Sequence, residues 1–167
     1  IEEFELLNLD DSSKPLTVNA DIVNDQYATV AGDMIYINPF FKDRISKNPF
    51  SNPDRNFPVE FNYGTNKQVR TTLTIPEGYE VVEIPENSSA QFSDKTGFSF
   101  VHEVSANTIQ MLLVTVNNEI EVNTDRYDDL RNYYAYLTEF YNQQIVLRKT
   151  DDSAEVLMET ETGQSGN

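Results

Sequence analysis

Histidine, cysteine and paired carboxylates build most catalytic sites, and this sequence offers few of them in a usable pattern. It has no Cys and a single His, at position 102. Glu103 is adjacent to His102, but neighbouring residues of a strand point to opposite faces. The same alternation places His102 on the face of Phe100 and Val104, as a packed structural residue. A catalytic triad or a His-based metal site would need partners that the chain does not offer.

The 28 Asp and Glu residues are the other source of chemistry, since carboxylate pairs hydrolyse glycosides and bind calcium. So many acids form pairs by chance, and no pair sits in a recognisable motif. Asp10-Asp11, Asp128-Asp129 and Asp151-Asp152 lack the alternating acids, turn Gly and final Glu of a calcium loop. The 6 Gly residues form no phosphate-binding loop. We therefore expect no catalytic residue, no metal site and no cofactor in this chain.

Charge and composition exclude two classes of partner. Lys and Arg number 12 against 28 acids, a net charge of −16, and this field repels nucleic acid. No apolar run approaches the ~18 residues of a membrane-spanning helix, so no membrane insertion is expected. The absence of Cys fits an exported bacterial protein and a cytosolic one equally. Because Ile1 is not an initiator Met, we expect a piece of a longer chain, and the missing signal peptide does not argue for the cytoplasm.

The elements that would position any site are mostly strands. Apolar and polar residues alternate over residues 16–22, and residues 109–116 form the strongest strand pattern. Residues 75–78, Ile-Pro-Glu-Gly, predict a type I turn that closes a hairpin between residues 68–75 and 79–84. Turn residues recur at roughly ten-residue spacing, which is typical of an antiparallel sandwich or barrel.

Three further segments complete the predicted architecture. Residues 39–58 form a long Pro- and Asn-rich connection, either functional or packed down by its own Phe side chains. Residues 125–143 lack Gly and Pro and repeat Tyr and Leu at helical spacing, and residues 145–147 follow as a closing strand. We predict a mainly β fold: an antiparallel β-sandwich with one C-terminal amphipathic helix and a closing strand. It forms a single domain over residues 1–149, and an acidic polar tail follows over residues 150–167.

The predicted helix is unusually aromatic, and its Tyr residues suggest a binding surface. The stripe that contains Tyr134 and Leu137 also carries other Leu and Tyr residues, so we expect it to pack on a sheet. Tyr133, Tyr136 and Phe140 lie beside or off this stripe and form the candidate contact surface for another domain. For Tyr136, core packing and surface contact remain equally open.

Several phrases of the sequence resemble a known family of uncharacterised domains. They are Asn48-Pro49-Phe50 with Arg55, Phe57-Pro58-Val59-Glu60-Phe61, Leu73-Thr74-Ile75-Pro76-Glu77-Gly78-Tyr79-Glu80-Val81 with Glu83-Ile84-Pro85, and Tyr127, Leu130-Arg131 and Phe140-Tyr141 up to Leu147-Arg148-Lys149. The resemblance covers roughly residues 30–149. It is to the C-terminal domain of unknown function that follows transglutaminase-like domains in exported Bacteroidetes proteins. The chain departs from the family at the helix start, where Asn123-Thr124 replaces Ser-Pro.

The resemblance implies that a Cys-His-Asp triad belongs to an upstream transglutaminase-like core, so no catalytic residue carries over to this chain. It implies a non-catalytic accessory or interaction domain of a larger exported transglutaminase-like, peptidase-like bacterial protein. The location would be periplasmic, outer-membrane-associated or extracellular. The implied partners are the upstream domain of the same chain and protein or glycan at the cell envelope. This hypothesis predicts an exposed apolar patch or an uncovered sheet edge where the core docks.

The alternative is an independent carbohydrate- or protein-binding β-sandwich module. It predicts a line of exposed aromatic side chains with nearby Asn and Asp, either on one face of the sandwich or in the connection of residues 39–58.

Overall fold

A computed structural model gives the fold of the chain and describes residues 3–24, 26–41 and 44–150. The predicted tail lies, from residue 151 onward, outside the described residues. Within the described ranges the chain forms twelve strands and one α-helix, and a turn of 3-10 helix at Thr124–Arg126 precedes the α-helix. The elements are β1 (Glu3–Leu7), β2 (Thr17–Asp21), β3 (Ala28–Ala31), β4 (Met34–Ile37), β5 (Val59–Glu60), β6 (Thr65–Thr74), β7 (Tyr79–Glu83), β8 (Ser88–Ser93), β9 (Thr96–Val104), β10 (Thr108–Asn117), β11 (Glu121–Val122), α1 (Tyr127–Tyr141) and β12 (Ile145–Lys149).

Two four-stranded antiparallel sheets make the body of the fold. Sheet 1 has the strand order β6-β10-β9-β8, and sheet 2 has the order β3-β4-β12-β7. Two smaller antiparallel pairs, β1 with β2 and β5 with β11, stand apart from these sheets. The structure confirms the predicted antiparallel β-sandwich with one C-terminal helix and a closing strand.

Both sheets and the helix contribute to one apolar core. Sheet 1 contributes Phe100 and Ile109, sheet 2 contributes Ile145 and Leu147, and α1 contributes Phe140. The closing strand β12 lies between β4 and β7, and its first three residues are all buried. A strand covered on both faces has no polar side, which explains why residues 145–147 form a continuous apolar run.

The chain turns after β6 over residues 76–79, one residue later than predicted, and the hairpin predicted around the turn is wrong. β6 pairs with β10 in sheet 1, whereas β7 pairs with β12 in sheet 2, so this turn carries the chain from one sheet to the other. The backbone N–H of Tyr79 donates to the carbonyl of Pro76 at 3.2 Å, and Gly78 has φ of +76°. A positive φ at the third turn position is characteristic of type II rather than type I.

Helix α1 spans Tyr127–Tyr141 and therefore begins and ends about one half-turn inside the predicted limits of residues 125–143. The residues before it form the 3-10 turn, and the N–H of Asn142 donates to the carbonyls of Thr138 and Glu139 at its end. Its buried residues include Leu130 and Leu137, as the predicted stripe requires. No helix among the described residues is long and apolar enough to cross a membrane.

The connection of residues 39–58 contains no strand in its described part and is fastened to the helix. The side-chain amide of Asn48 donates to the Arg131 carbonyl at 2.9 Å, and its oxygen accepts from the Phe50 N–H at 2.8 Å. The Phe50 ring then packs edge-on against Tyr134, with centroids 4.8 Å apart. Of the two alternatives for this connection, the contacts favour the packed one.

Candidate functional site

Helix α1 places the three predicted contact residues in different surroundings. Tyr136 is 42% exposed, and its hydroxyl shares a 2.6 Å hydrogen bond with the Ser88 hydroxyl of β8. Tyr133 is partly buried and packs beside Phe92, with ring centroids 6.1 Å apart. Phe140 is only 3% exposed and its ring belongs to the main core. A contact surface on this helix can therefore include Tyr136 but not Phe140.

Beside Tyr136 lies an open cleft of about 420 Å³ with a strongly polar lining. Glu83, Glu86 and Glu139 contribute carboxylates, and Asn87 contributes an amide. The Asn87 side-chain oxygen already accepts from the backbone N–H of His102 at 2.8 Å. Neither these carboxylates nor any other His, Cys, Asp or Glu side chains among the described residues form a group of three that could hold a metal ion.

His102 lies on the core side of β9, as its alternation with Phe100 predicts. The two rings are 6.1 Å apart between centroids, and Met111 is the register partner of His102 on β10. Its Nδ1 atom is buried without a hydrogen-bond partner. A catalytic His is oriented by an acceptor at that nitrogen, and His102 makes no such bond.

An exposed apolar surface lies on the N-terminal pair of strands. Every residue of β1 and β2 is exposed. Phe4 is the register partner of Ala20, and Leu6 is the partner of Val18, so these four side chains share one face of the hairpin. We call this face the hairpin surface. Phe4 is 62% exposed and Val18 58% exposed, so no other described part of the chain covers them.

The opposite face of the same hairpin is polar. Glu5 is the register partner of Asn19, and the Asn19 amide donates to the Glu5 carboxylate at 3.1 Å. Glu3 and Asp21 stand opposite each other at the end of the pair. The hairpin is therefore amphipathic: it has the apolar and polar faces of a half-buried sheet, but its apolar face lies in solvent. A two-stranded sheet with an uncovered apolar face is at best marginally stable by itself.

Two further aromatic side chains stand in solvent on either side of β5. Phe57 is 77% exposed and Tyr63 is 71% exposed. The Phe57 carbonyl accepts from Arg55 Nε at 3.0 Å, and the Arg55 guanidinium lies over the Tyr127 ring, 5.7 Å from its centroid. The backbone at Phe57 is thus held to the body of the fold while its ring stays exposed.

The comparisons with known proteins add a family and a fold. The family model DUF3858, described as a domain of unknown function with solved structure, matches residues 33–147. The chain belongs to this family. The DUF3858 segment begins just after β3 and extends into β12, so it holds the buried residues of the apolar core and helix α1 but not the hairpin surface. Its membership confirms the sequence-based expectation of a domain of unknown function.

One solved structure resembles the DUF3858 fold: the crystal structure of a "putative protease" from Parabacteroides distasonis ATCC 8503. The two share 18% sequence identity with a TM-score of 0.50, and the match covers 58% of this chain but only 19% of that protein. At this identity the likeness concerns the fold alone. No curated protein matches the chain.

Sequence reasoning predicted strand β2 of the hairpin, but neither its partner β1 nor what surrounds the hairpin. Residues 16–22 alternate in the same way as strands that the core covers, and the pattern carries no signal of what lies against it. The position of Tyr136 at the surface was one of the two alternatives left open for that residue.

Proposed function

We propose that this chain is a non-catalytic accessory domain of a larger exported bacterial protein, and that its hairpin surface docks on a transglutaminase-like, peptidase-like core in the same polypeptide. The domain would follow that core in the chain, as in the Bacteroidetes proteins that the sequence resembles. It would act in the periplasm, at the outer membrane or outside the cell. Its task is to hold or present the core, while the chemistry belongs to the core.

The observation that carries this proposal is the amphipathic hairpin with its apolar face in solvent. Burying one large apolar side chain contributes about 1.5–3 kcal/mol. Phe4, Leu6 and Val18 offer three such side chains on one face, and Ile22, which is 61% exposed, follows β2 directly. Contiguous apolar surface of this kind marks a site of protein contact.

The comparisons support the accessory role without naming its partner. The family is defined over residues 33–147, so the body of the domain is a recurring unit that the hairpin precedes. A similar fold occupies 19% of a much longer protein, which is described as a "putative protease". A unit of this size within a long chain packs against its neighbours through interfaces more polar and smaller than a domain core.

The test uses two exposed Phe residues as a matched pair, Phe4 on the hairpin surface and Phe57 beside β5. Each is changed to Asp in the 167-residue chain and in the complete protein that its gene encodes, and thermal unfolding is followed. In the complete protein, Phe4→Asp should lower the unfolding midpoint, because it places a charge in the docking interface. In the 167-residue chain it should have little effect, because Phe4 is already in solvent. Phe57→Asp should have little effect in both.

Equal tolerance of Phe4→Asp and Phe57→Asp in the complete protein would contradict docking through the hairpin surface. A complete gene without a Cys-His-Asp core upstream would contradict the transglutaminase-like part of the proposal and leave the docking surface to be tested separately.

A second candidate function is an independent carbohydrate- or protein-binding module, and the exposed rings of Phe57 and Tyr63 favour it. Aromatic rings in solvent stack on the apolar faces of sugars and are common anchors in protein interfaces. Glycan-array and pull-down screening of the chain, with Phe57→Ala and Tyr63→Ala as loss-of-binding variants, tests this function. Binding that these two changes abolish and Phe4→Ala leaves intact would favour the module over the accessory domain.

A further inference from the structure

Strand β10, in the interior of sheet 1, is apolar on both of its faces. Its core side holds Ile109 and Leu113. The residues that alternate with them point to the other side, which we call the outer face, and three of these are aliphatic: Leu112, Val114 and Val116. They belong to neither apolar core and do not pack against one. An antiparallel sheet with one face in water normally has polar residues on that face, so this apolar stripe indicates a surface that binds another protein.

The neighbouring strand β9 leaves the stripe open. Register partners share one face of a sheet, so Val101 lies beside Leu112 on the outer face, where it is 48% exposed. Further along β9 the outward positions are Ser99 and Gly97, whose small size keeps the face flat. Leu112 lines an open cleft of about 370 Å³, and Val114 lines a second one of about 220 Å³. The outer face is therefore accessible to a partner along the whole stripe.

The outer face carries little charge, and its two charges are of opposite sign. Charged residues make up 24% of the chain, whereas Arg70 of β6 and Glu103 of β9 are the only charged outward residues on the strands of sheet 1, all of which the structure describes. Arg70 is the register partner of Leu112, and Glu103 is that of Gln110, so the two charges lie on opposite sides of β10. Neither forms an ion pair within the described part of the chain.

We propose that the outer face of sheet 1 binds the same face of a second copy of this chain, in an isologous dimer whose two-fold axis runs along β10. This axis sets the stripe of Leu112, Val114 and Val116 against the same stripe of the other copy. It also lays β6 of one copy over β9 of the other, as in the aligned packing of two sheets. Arg70 then lies within one outward step along the strand, about 7 Å, of Glu103 in the other copy. The opposite charges meet twice, and this self-complementarity favours a second copy as the partner.

The size of the outer face suits a weak dimer. Its four strands have six to ten residues each. With ~3.4 Å per residue and ~4.8 Å between strands, they cover about 570 Å². Two copies together bury about 1,100 Å², slightly more than the ~1,000 Å² that a specific interface needs. The net charge of −16 on each copy opposes association. We therefore expect a dissociation constant of about 10–100 µM.

Sedimentation velocity of the 167-residue chain, from about 1 µM to about 1 mM, tests the proposal. The sedimentation coefficient should rise with concentration toward that of a dimer, in a reversible equilibrium without larger species. A chain that stays monomeric over the whole range would overturn the proposal. Open-ended larger oligomers would overturn it too, because an isologous contact closes at two copies.

Two Val→Asp variants decide which surface carries the association. Val101→Asp places a charge in the outer face at a half-exposed position, so the monomer should still fold, which circular dichroism checks. It should raise the dissociation constant about tenfold or more, because the dimer buries a charge without a partner. Val18→Asp is the matched control on the hairpin surface and should leave the dissociation constant unchanged. An unchanged constant in Val101→Asp, or a dimer lost only in Val18→Asp, would contradict association through the outer face and would leave docking of the hairpin surface on a larger core as a separate question.

Charge reversal tests the pairing of Arg70 with Glu103 across the two-fold axis. Arg70→Glu and Glu103→Arg should each weaken the dimer severalfold, because each sets like charges opposite one another. The double variant should return the dissociation constant to within about twofold of the original, since it recreates both pairs with their signs exchanged. Single reversals without effect, or a double variant as weak as the two single effects combined, would contradict the proposed arrangement.

Discussion

The N-terminal hairpin and the closing strand β12 are both short and near an end of the described chain, and both carry large apolar side chains, yet their surroundings are opposite. β12 lies in the middle of sheet 2, where Ile145 and Leu147 are fully buried. The hairpin pairs only with itself, and Phe4 and Val18 stay in solvent. The difference shows that strand formation and strand burial are separate questions. Hydrogen bonding between β1 and β2 makes a sheet, but only a covering layer makes a core.

The same contrast explains where the family begins. Residues 33–147 contain the buried residues of the main core, which come from sheet 1, helix α1 and strands β4 and β12 of sheet 2. The hairpin lies outside that range, and its apolar face still lacks a cover. An accessory domain that docks on a larger core needs such a surface, and an independent module does not.

The largest expected difference in the free energy of unfolding is between two Leu→Ala variants, one in each region. Leu147→Ala should lower the free energy of unfolding by about 2–5 kcal/mol, because it leaves a cavity in the main core. Leu6→Ala, on the hairpin surface, should change it by no more than about 0.5 kcal/mol. Urea denaturation of the 167-residue chain measures both. A large loss in Leu6→Ala would show that the hairpin is already packed within this chain.

A smaller effect on the free energy of unfolding tests whether the connection of residues 39–58, unlike the hairpin, is anchored to the body of the fold. Asn48→Ala removes the hydrogen bonds to the Arg131 carbonyl and from the Phe50 N–H. The loss should be about 1–3 kcal/mol, since partly buried backbone groups are left unpaired. Asn24→Ala is the matched control, because its side chain accepts only from the nearby Gln26 N–H, at an exposed site. Equal stability of the two variants in urea would argue against an anchored connection.

The smallest effect is confined to alkaline pH and concerns the half-buried Tyr133. Burial raises its pKa in the folded state, so between the unfolded pKa, near 10, and the folded one, the native chain holds a proton that the unfolded chain has released. The free energy of unfolding should therefore be fully retained below the unfolded pKa and fall as pH rises above it. Tyr133→Phe should show a shallower fall than the unsubstituted chain in urea denaturation over that range. The same slope in Tyr133→Phe would mean that other groups cause the alkaline loss.

The local sequence pattern predicted the helix and the strands better than it predicted which strands pair with each other. The amphipathic helix is predicted because Leu130 and Leu137 repeat at helical spacing, and β12 because three apolar residues follow in a row. The partner of β6 is not predictable in this way. A turn such as the one that contains Gly78 can join two strands of a hairpin or two different sheets, and long-range packing decides between these outcomes.

The surroundings of the candidate site residues were harder still to predict from the sequence. Tyr133, Tyr136 and Phe140 are close in sequence, but Tyr133 is partly buried, Tyr136 is exposed and Phe140 lies in the core. Helical spacing predicts which face of the helix a side chain lies on, whereas its burial depends on which sheet residues pack against that face, and these are known only from the folded chain.

Hydrogen exchange of the backbone amides in β1 and β2 tests the central claim most directly. It is measured in the 167-residue chain and in the complete protein, with the amides of β10 as an internal standard, because their central strand is protected in both. Docking of the hairpin surface predicts that the β1 and β2 amides exchange rapidly in the 167-residue chain and at least about tenfold more slowly in the complete protein. Equally fast exchange in both would contradict the claim that the hairpin docks on a larger core.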